Sequence, residues 1–338
     1  MKKFDFGKIK KFVSENLILV LLLIMVIYVG ITQDNFFTWR NFNVTLSSIT
    51  PRFIIALGIS GCLIIKGTDL SAGRAVGITA VLSACMLQPA DYIKRVFPAS
   101  FPELPIFVVA AMAIAAGAVF GFLNGVTIAK LKLPPFLATL GMQTIIYGIC
   151  CVAFTSEPVG GLRDDFLAIT TKNLVTNKTP NGFYFKTIFL VAIAAFLIFW
   201  FLYNKTRYGK YMYAIGGNEN AAEVSGINVD RQKIIIYTLA GAMYGLAGFI
   251  FASKNGGCSV NTGYGYECEA IAACTIGGVA SSGGVGKVSG ILLGVCVFEL
   301  LKTSMQFLGI NPFIQQIIQG IVIIVAVAFD IRKYIKKK

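Results

Sequence analysis

The sequence predicts an all-α polytopic membrane protein with about ten transmembrane helices, and three observations support this fold class. Of the 338 residues, 56% are hydrophobic and only 14% are charged, whereas a soluble domain carries about 25% charged residues. The mean hydropathy of +0.74 is typical of a chain largely buried in lipid. Apolar stretches close to the ~20 residues that cross a bilayer recur along the chain. We therefore expect a single transmembrane domain over residues 1–338.

Ten apolar stretches are candidate spans. They are residues 16–31, 49–65, 72–87, 105–129, 136–155, 187–203, 234–251, 271–285, 288–308 and 313–329. Lysines precede the first stretch as they would in a signal peptide, but no small-residue cleavage site follows it. We therefore expect this first helix to be retained in the membrane.

The Lys and Arg residues predict the orientation, because short cytoplasmic loops carry an excess of cations. Residues 2–11, 205–233 and 332–338 hold five cations each, half of the 30 in the chain. Both termini and the segment 205–233 are therefore expected in the cytoplasm, which requires an even number of spans. The net charge of +14 is explained better by anionic lipid than by nucleic acid.

Two of the predicted spans contain runs that an exposed membrane helix would hardly tolerate. Span three is entered through the polar sequence 66–74, and span eight contains the Gly- and Ser-rich run 277–286. Backbone of this kind must be buried in protein or line a wet cavity. We therefore predict broken or re-entrant helices near 67–75 and 277–286, and such breaks at matching places in two halves indicate a transport path.

The chain also shows signs of an internal repeat. Glycines at 117, 121 and 125 form one helix face, and glycines at 286, 290 and 294 form a second. A Pro-Phe pair follows each face, at 135–136 and at 312–313. Two five-helix halves, 1–170 and 171–338, would be inverted relative to each other. The alternative is that each face only allows two helices to approach closely.

Several kinds of chemistry are excluded by composition. The chain has no histidine, which removes histidine bases, proton shuttles and metal ligands. The sequence nearest to a phosphate loop, 281–288, lacks its first glycine and its final hydroxyl residue. We therefore predict no catalytic residues, no metal site and no cofactor in this chain. Six cysteines lie in apolar spans. Cys258 and Cys268 instead flank an outer loop, and an oxidising compartment could join them in a disulfide.

Few ionisable residues lie within the predicted spans, where an unpaired charge is costly. Asp69 either lines a substrate path or caps a helix, and capping is favoured. Glu299 and Lys302 are three residues apart on one helix face, where they can pair with each other or snorkel, and pairing is favoured. Glu267 and Glu269, at the entrance to span eight, are expected to be solvated.

The most informative polar stretch is the segment 205–233 between spans six and seven. Asn218 to Val224 is predicted to form a short helix that contains Ala221 and Ala222 and is closed by Gly226. Small side chains on such a helix would allow close docking by a partner, but an ordinary solvated loop is the alternative.

Several motifs together resemble the permease subunits of bacterial sugar ABC importers, the ribose, xylose and galactose permease family. They are Gly67-Thr-Asp-Leu-Ser-Ala-Gly, Gly121-Phe-Leu-Asn-Gly, Pro135-Phe-Leu-Ala-Thr-Leu-Gly, Ala214-Ile-Gly-Gly-Asn-Glu-Asn-Ala-Ala, Ser225-Gly-Ile and the Gly277–Gly294 run. Segments 141–148 and 263–272 are most similar to the galactose/methyl-galactoside subunits.

The resemblance implies a homodimer in the bacterial inner membrane, a cytoplasmic ATPase that binds ATP and Mg²⁺, and a periplasmic sugar-binding protein. It identifies the polar segment as the coupling loop and implies that ATPase contacts come from Gly217, Asn218, Asn220, Ala221, Ala222 and Gly226. The two helix breaks would border the translocation path at Asp69, Ser71, Gly277, Gly278, Ser281 and Ser282. The main alternative is an ion-coupled secondary transporter or channel for a small polar solute.

Overall fold

A computed structural model describes residues 17–98, 100–154, 156–176 and 184–335. The basic residues 2–11 and the last three lysines, on which the orientation partly depends, lie outside the described residues. The fold is mostly helical, with two short two-stranded sheets among the connections.

Thirteen helices make up the described part of the chain. Their bounds are α1 Leu17–Thr32, α2 Trp39–Ile64, α3 Ala72–Met86, α4 Ile106–Ala129, α5 Pro135–Ala153, α6 Asp164–Thr171, α7 Thr187–Lys205, α8 Arg207–Gly217, α9 Glu219–Val224, α10 Val229–Asn255, α11 Tyr266–Ile276, α12 Val288–Phe307 and α13 Pro312–Ile335. The strands β1 Val159–Gly160 and β4 Gly257–Cys258 pair antiparallel, as do β2 Asn173–Thr176 and β3 Tyr184–Lys186.

Six of the described helices are long and apolar enough to cross a membrane, namely α2, α4, α5, α7, α10 and α12. The most apolar windows of α2 and α10 are 89% and 67% buried inside the protein, whereas those of α4, α5 and α7 are at most 28% buried. The fold is therefore a polytopic helical membrane protein with α2 and α10 at its centre. A helix overlaps each of the ten predicted stretches, but α1, α3, α11 and α13 are not among the six.

The boundaries differ most from the prediction at α2 and α11. Helix α2 begins ten residues before the predicted start at Ile49, because Thr38 caps it and its polar residues 43–48 are largely buried. Helix α11 ends at Ile276 rather than continuing to Val285. Gly278, Gly283 and Gly284 then take positive φ angles of 83°, 85° and 76°, a backbone conformation that continues no helix.

Helical structure is interrupted near both predicted breaks, while a broken or re-entrant course through the membrane stays a prediction. No helix covers residues 65–71, between α2 and α3, or residues 277–287, between α11 and α12. The positions of both breaks follow the Gly-, Ser- and Asp-containing runs, since these residues favour turns over helix interiors.

The first glycine face is where two central helices touch. Gly117 and Gly121 of α4 lie so close to α10 that a Cβ on either would overlap the carbonyl oxygen of Gly241 or Tyr237. Glycine permits this backbone approach, which increases van der Waals contact along the two helices.

The second glycine face contacts different neighbours. Gly290 and Gly294 pack against the backbone of Gly277 and Ala273, and Gly286 packs against the Ile64 side chain. Close helix approach therefore occurs at both faces, whereas the inverted arrangement of two halves stays a prediction.

The pairs of short strands bring distant connections together. Strand β1 lies in the connection between α5 and α7, while β4 directly follows α10. Cys258 in β4 is buried and Cys268 in α11 is exposed, and both are free thiols in this structure.

Candidate functional site at the helix breaks

The polar segment 205–233 folds into two helices, α8 and α9, before α10 begins. The Asn218 side chain accepts a hydrogen bond from Ala221 N at 3.1 Å, which caps α9. At the other end Ile227 N donates to Ala222 O, and Gly226 takes a φ of 83°. This is the hydrogen-bonding pattern with which glycine commonly terminates a helix. The predicted short helix is thus confirmed.

Most of the residues proposed to contact an ATPase form one exposed surface. Gly217, Asn218, Asn220, Ala221 and Gly226 are exposed. Ala222 differs, because it is only 4% exposed and packs inward. Val224, which sequence analysis did not single out, is 91% exposed on the same short helix.

Ion pairs hold this segment against α10 and the connection between α4 and α5. Glu219 Oε1 lies 2.7 Å from Lys233 Nζ. Asp230 pairs with Lys132 at 2.7 Å and with Lys130 at 3.3 Å. The hydrogen bond with Asp230 raises the pKa of Lys132 above its ordinary value.

The two helix breaks meet at the end of α8. Gly284 N donates to Ile64 O at 2.8 Å, which ties the α11–α12 break to the last residue of α2. Gly216 fits against both, since a Cβ there would overlap Ile64 O and crowd Gly284 N. Lys66 Nζ also donates to Gly217 O at 3.4 Å. The polar segment is therefore in direct contact with both breaks.

A further hydrogen bond strengthens this junction. Tyr213 of α8 donates its hydroxyl proton to Gly286 O at 2.7 Å. We define the junction by Ile64, Lys66, Tyr213, Gly216 and Gly284. A displacement of α8 would necessarily disturb the backbone of both breaks.

Asp69 and Ser71 are buried in the first break. Asp69 Oδ1 accepts hydrogen bonds from Ser71 N at 3.0 Å and from Ser71 Oγ at 2.6 Å. Asn124 Nδ2 of α4 donates to Ser71 Oγ at 2.8 Å, and Thr139 Oγ1 of α5 accepts from Leu70 N at 3.1 Å. Ser71, rather than Asp69, occupies the N-cap position of α3. The carboxylate therefore orders the turn that precedes α3.

The candidates in the second break have different environments. Gly277 packs against the backbone of Gly290, and Ser281 is half-buried. Gly278 and Ser282 are exposed. Among the proposed path residues, these last two offer the most surface to a solute.

A buried charge network centred on Arg52 of α2 was not predicted from the sequence. Arg52 Nε lies 3.2 Å from Glu269 Oε2, and Arg52 Nη1 lies 3.0 Å from Glu299 Oε2. Lys302 pairs with Glu269 at 3.5 Å. The prediction that Glu299 and Lys302 pair with each other was wrong, because each finds a partner on another helix.

The expectation that Glu267 and Glu269 are solvated was also wrong. Glu267 is only 6% exposed, and the Glu269 side chain is 16% exposed within the Arg52 network. Next to this network lies a polar cavity of about 320 Å³. Its lining includes Ser48, Arg52, Lys254, Tyr266, Glu299 and Lys302.

The described residues contain no group of three His, Cys, Asp or Glu side chains that could hold a metal ion. A central pair of helices, two interrupted helices and an exposed polar segment in contact with the interruptions define a membrane transport component. The chain belongs to the family described as the permease component of branched-chain amino acid transport systems, whose model matches residues 41–327. It is therefore a transport subunit and not an enzyme.

Curated relatives cover the chain almost completely. It is 42% identical to the galactose/methyl galactoside import permease protein MglC of Haemophilus influenzae over 100% of this chain and 98% of the relative. It is 39% identical to MglC of Escherichia coli K12, with 97% of each chain covered. The ribose import permease protein RbsC of Escherichia coli K12 is 32% identical over 96% of each chain. No solved structure matches the chain. These relatives favour an importer subunit over an ion-coupled transporter or channel.

Proposed function

We propose that this chain is the permease subunit of an ATP-driven importer and carries galactose or methyl galactoside across the bacterial inner membrane. The junction supports this function most strongly, because the exposed polar segment contacts both helix breaks. The names of the MglC relatives supply the substrate. A subunit of this kind needs no nucleotide site of its own, since a separate ATPase binds ATP and Mg²⁺.

The partners follow from the same proposal. The cytoplasmic ATPase docks on Gly217, Asn218, Asn220, Ala221, Gly226 and the newly found Val224, while buried Ala222 positions α9. A second copy of the chain completes a homodimer, and a periplasmic binding protein delivers the sugar. Helices α4, α5 and α7 expose few charged side chains, as expected for surfaces that contact lipid or the second copy.

The proposed topology has ten crossings in two inverted halves, with both termini in the cytoplasm. The short helices α3 and α11 then complete their crossings through the two breaks. The exposed residues Gly278 and Ser282 line a wet cavity in this arrangement, as irregular backbone at membrane depth requires. The sugar passes Gly278, Ser281 and Ser282 on one side, while Asp69, Ser71 and Gly277 maintain the shape of the breaks.

Bulky substitutions on α9 test the ATPase contact. Ala221→Trp or Gly226→Val should uncouple ATP hydrolysis from sugar uptake in vesicles that contain the ATPase and the binding protein. Ala115→Trp, at an exposed position of α4, is the matched control and should transport normally. Normal coupled uptake by both α9 variants would contradict the docking assignment.

A second measurement distinguishes the transport classes. Uptake by the intact importer should require the ATPase and should survive ionophores that collapse ion gradients. Uptake without the ATPase, driven by an ion gradient, would refute the ATP-driven function.

A further inference from the structure

Arg74 of α3 lies between two tyrosine rings that sequence analysis did not assign to any site. Its guanidinium carbon is 4.4 Å from the ring centroid of Tyr147 on α5 and 4.8 Å from that of Tyr264 in the α10–α11 connection. Arg74 Nη1 donates to Val260 O at 2.9 Å and to Asn261 Oδ1 at 3.3 Å. Hydrogen bonds and cation–π contacts thus fix the guanidinium.

The assignment of α5 as a spanning helix places this cluster at membrane depth. Tyr147 belongs to α5, Pro135–Ala153, which is one of the six helices able to span a membrane. Arg74 contacts its ring and, within the described residues, forms no ion pair with a carboxylate. A charged side chain at this depth is costly in lipid. Its open side must therefore face water or protein.

The two rings leave a large exposed surface. Tyr147 is 38% exposed and Tyr264 is 65% exposed. On α5, Thr144 is exposed and Gln143 is half-buried one turn before Tyr147, which places them on the same helix face. A polar and aromatic surface therefore extends along α5 from the Arg74 cluster. A surface in contact with lipid would instead carry mainly aliphatic side chains.

A buried carboxylate adjoins this surface. Glu267 is 6% exposed, and its Oε2 has no hydrogen-bond partner within the described residues. Gly73, the residue before Arg74, lies so close to this carboxylate that a Cβ on Gly73 would overlap Glu267 Oε2. An additional hydrogen-bond acceptor is therefore present beside a guanidinium whose Nε and Nη2 donate no hydrogen bond within the described residues.

The chemistry of the cluster matches a neutral monosaccharide. A pyranose has an apolar face of C–H groups, which packs on an aromatic ring, and hydroxyls that accept from guanidinium N–H groups. The segments 141–148 and 263–272, in which the sequence is most similar to galactose subunits, meet at this cluster through Tyr147 and Tyr264.

We propose that Arg74, Tyr147 and Tyr264 form a contact site for a neutral hexose in transit on the translocation path. The inference rests on the proposed importer function and adds the residues that touch the sugar at membrane depth. Each tyrosine offers a ring face or edge to the sugar, and Arg74 holds the two rings in position while donating hydrogen bonds.

Uptake and ATP hydrolysis measured together test this site. In proteoliposomes with the ATPase and the binding protein, Tyr147→Ala and Tyr264→Ala should each lower galactose uptake about tenfold through the lost ring contact. ATP hydrolysis stimulated by the loaded binding protein should stay within about twofold of the unmodified chain, because neither tyrosine belongs to the exposed α9 surface or to the junction. Tyr147→Phe and Tyr264→Phe should retain uptake.

The matched control is Tyr184→Ala, which removes a tyrosine beside a cation, Lys186, elsewhere in the chain and should transport normally. Normal uptake by both alanine variants would overturn the contact site, and so would equal losses of uptake and ATP hydrolysis, which indicate a structural role. An unmodified chain that imports no hexose would instead refute the proposed function on which the site rests.

Discussion

Arg52 shows how single side chains organise the centre of this protein. Its side chain is 13% exposed and lies beside the carboxylates of both Glu269 and Glu299. A buried pair of this kind contributes little net stability compared with apolar packing, but removing one partner leaves an uncompensated charge. Arg52 therefore holds α2, α11 and α12 in register at the edge of the polar cavity.

The substitution Arg52→Met should lower the free energy of unfolding by about 3 kcal/mol, because Glu299 loses its ion-pair partner and Glu269 keeps only Lys302 among the described residues. The measurement is the thermal midpoint of the detergent-solubilised protein. Adding Glu299→Gln to the variant should restore part of the loss. Lys130→Met is the control and should change little, since Asp230 keeps Lys132. Equal midpoints for Arg52→Met and Lys130→Met would show that the network carries no stability.

These residue-scale contacts were beyond sequence-based prediction. Arg52 and Glu269 are 217 residues apart in the chain, and no local pattern joins them. The i,i+3 spacing of Glu299 and Lys302 correctly placed both on one face, but tertiary partners competed successfully with the local pair. By contrast, the short helix α9 and its end at Gly226 depend on neighbouring residues, and the sequence predicted both, although it did not predict the cap by Asn218.

At the scale of helices, glycine positions determine how closely the central elements pack. Gly241 of α10 fits against Gly117 and Gly121 of α4, and Gly245 fits against Ala113. The spacing of three intervening residues predicted a close helix contact, because it aligns glycines on one face. It could not specify the partner helix, which depends on the arrangement of the whole bundle.

Gly241→Val should separate α4 from α10 and destabilise the protein by about 1–3 kcal/mol, as overpacked cores do. The measurement is again the thermal midpoint, together with the fraction that remains monodisperse in detergent. Gly320→Val is the control, because nothing lies within 4 Å of a Cβ at that position. An unchanged midpoint for Gly241→Val would contradict the close α4–α10 contact.

At the scale of the whole molecule, the junction joins elements from distant parts of the chain. Ile64 ends α2, Gly216 lies near the end of α8, and Gly284 belongs to the second break. Both breaks were predictable, because Gly, Ser and Asp runs disfavour helix locally. Their meeting point was not, since it depends on hydrogen bonds and a close glycine contact between segments that are more than 60 residues apart.

This arrangement gives a physical route from the proposed ATPase contact to the proposed path. A force on α9 displaces α8, to which it is joined through Asn218. Helix α8 then acts on both breaks through Gly216 and through the hydrogen bond from Tyr213 to Gly286 O. No part of this route passes through the buried Asp69 turn.

Gly216→Ala tests the route, because its added methyl would overlap Ile64 O and push α8 away from both breaks. We expect ATP hydrolysis to continue in proteoliposomes, since the exposed face of α9 is unchanged, while the sugar imported per ATP falls about tenfold, the effect of roughly 1.4 kcal/mol of lost coupling. Gly320→Ala, which meets nothing within 4 Å, should import at the normal ratio. If Gly216→Ala imported as much sugar per ATP as this control, the contact between α8 and the breaks would not transmit the motion, and coupling would have to reach the path through α10.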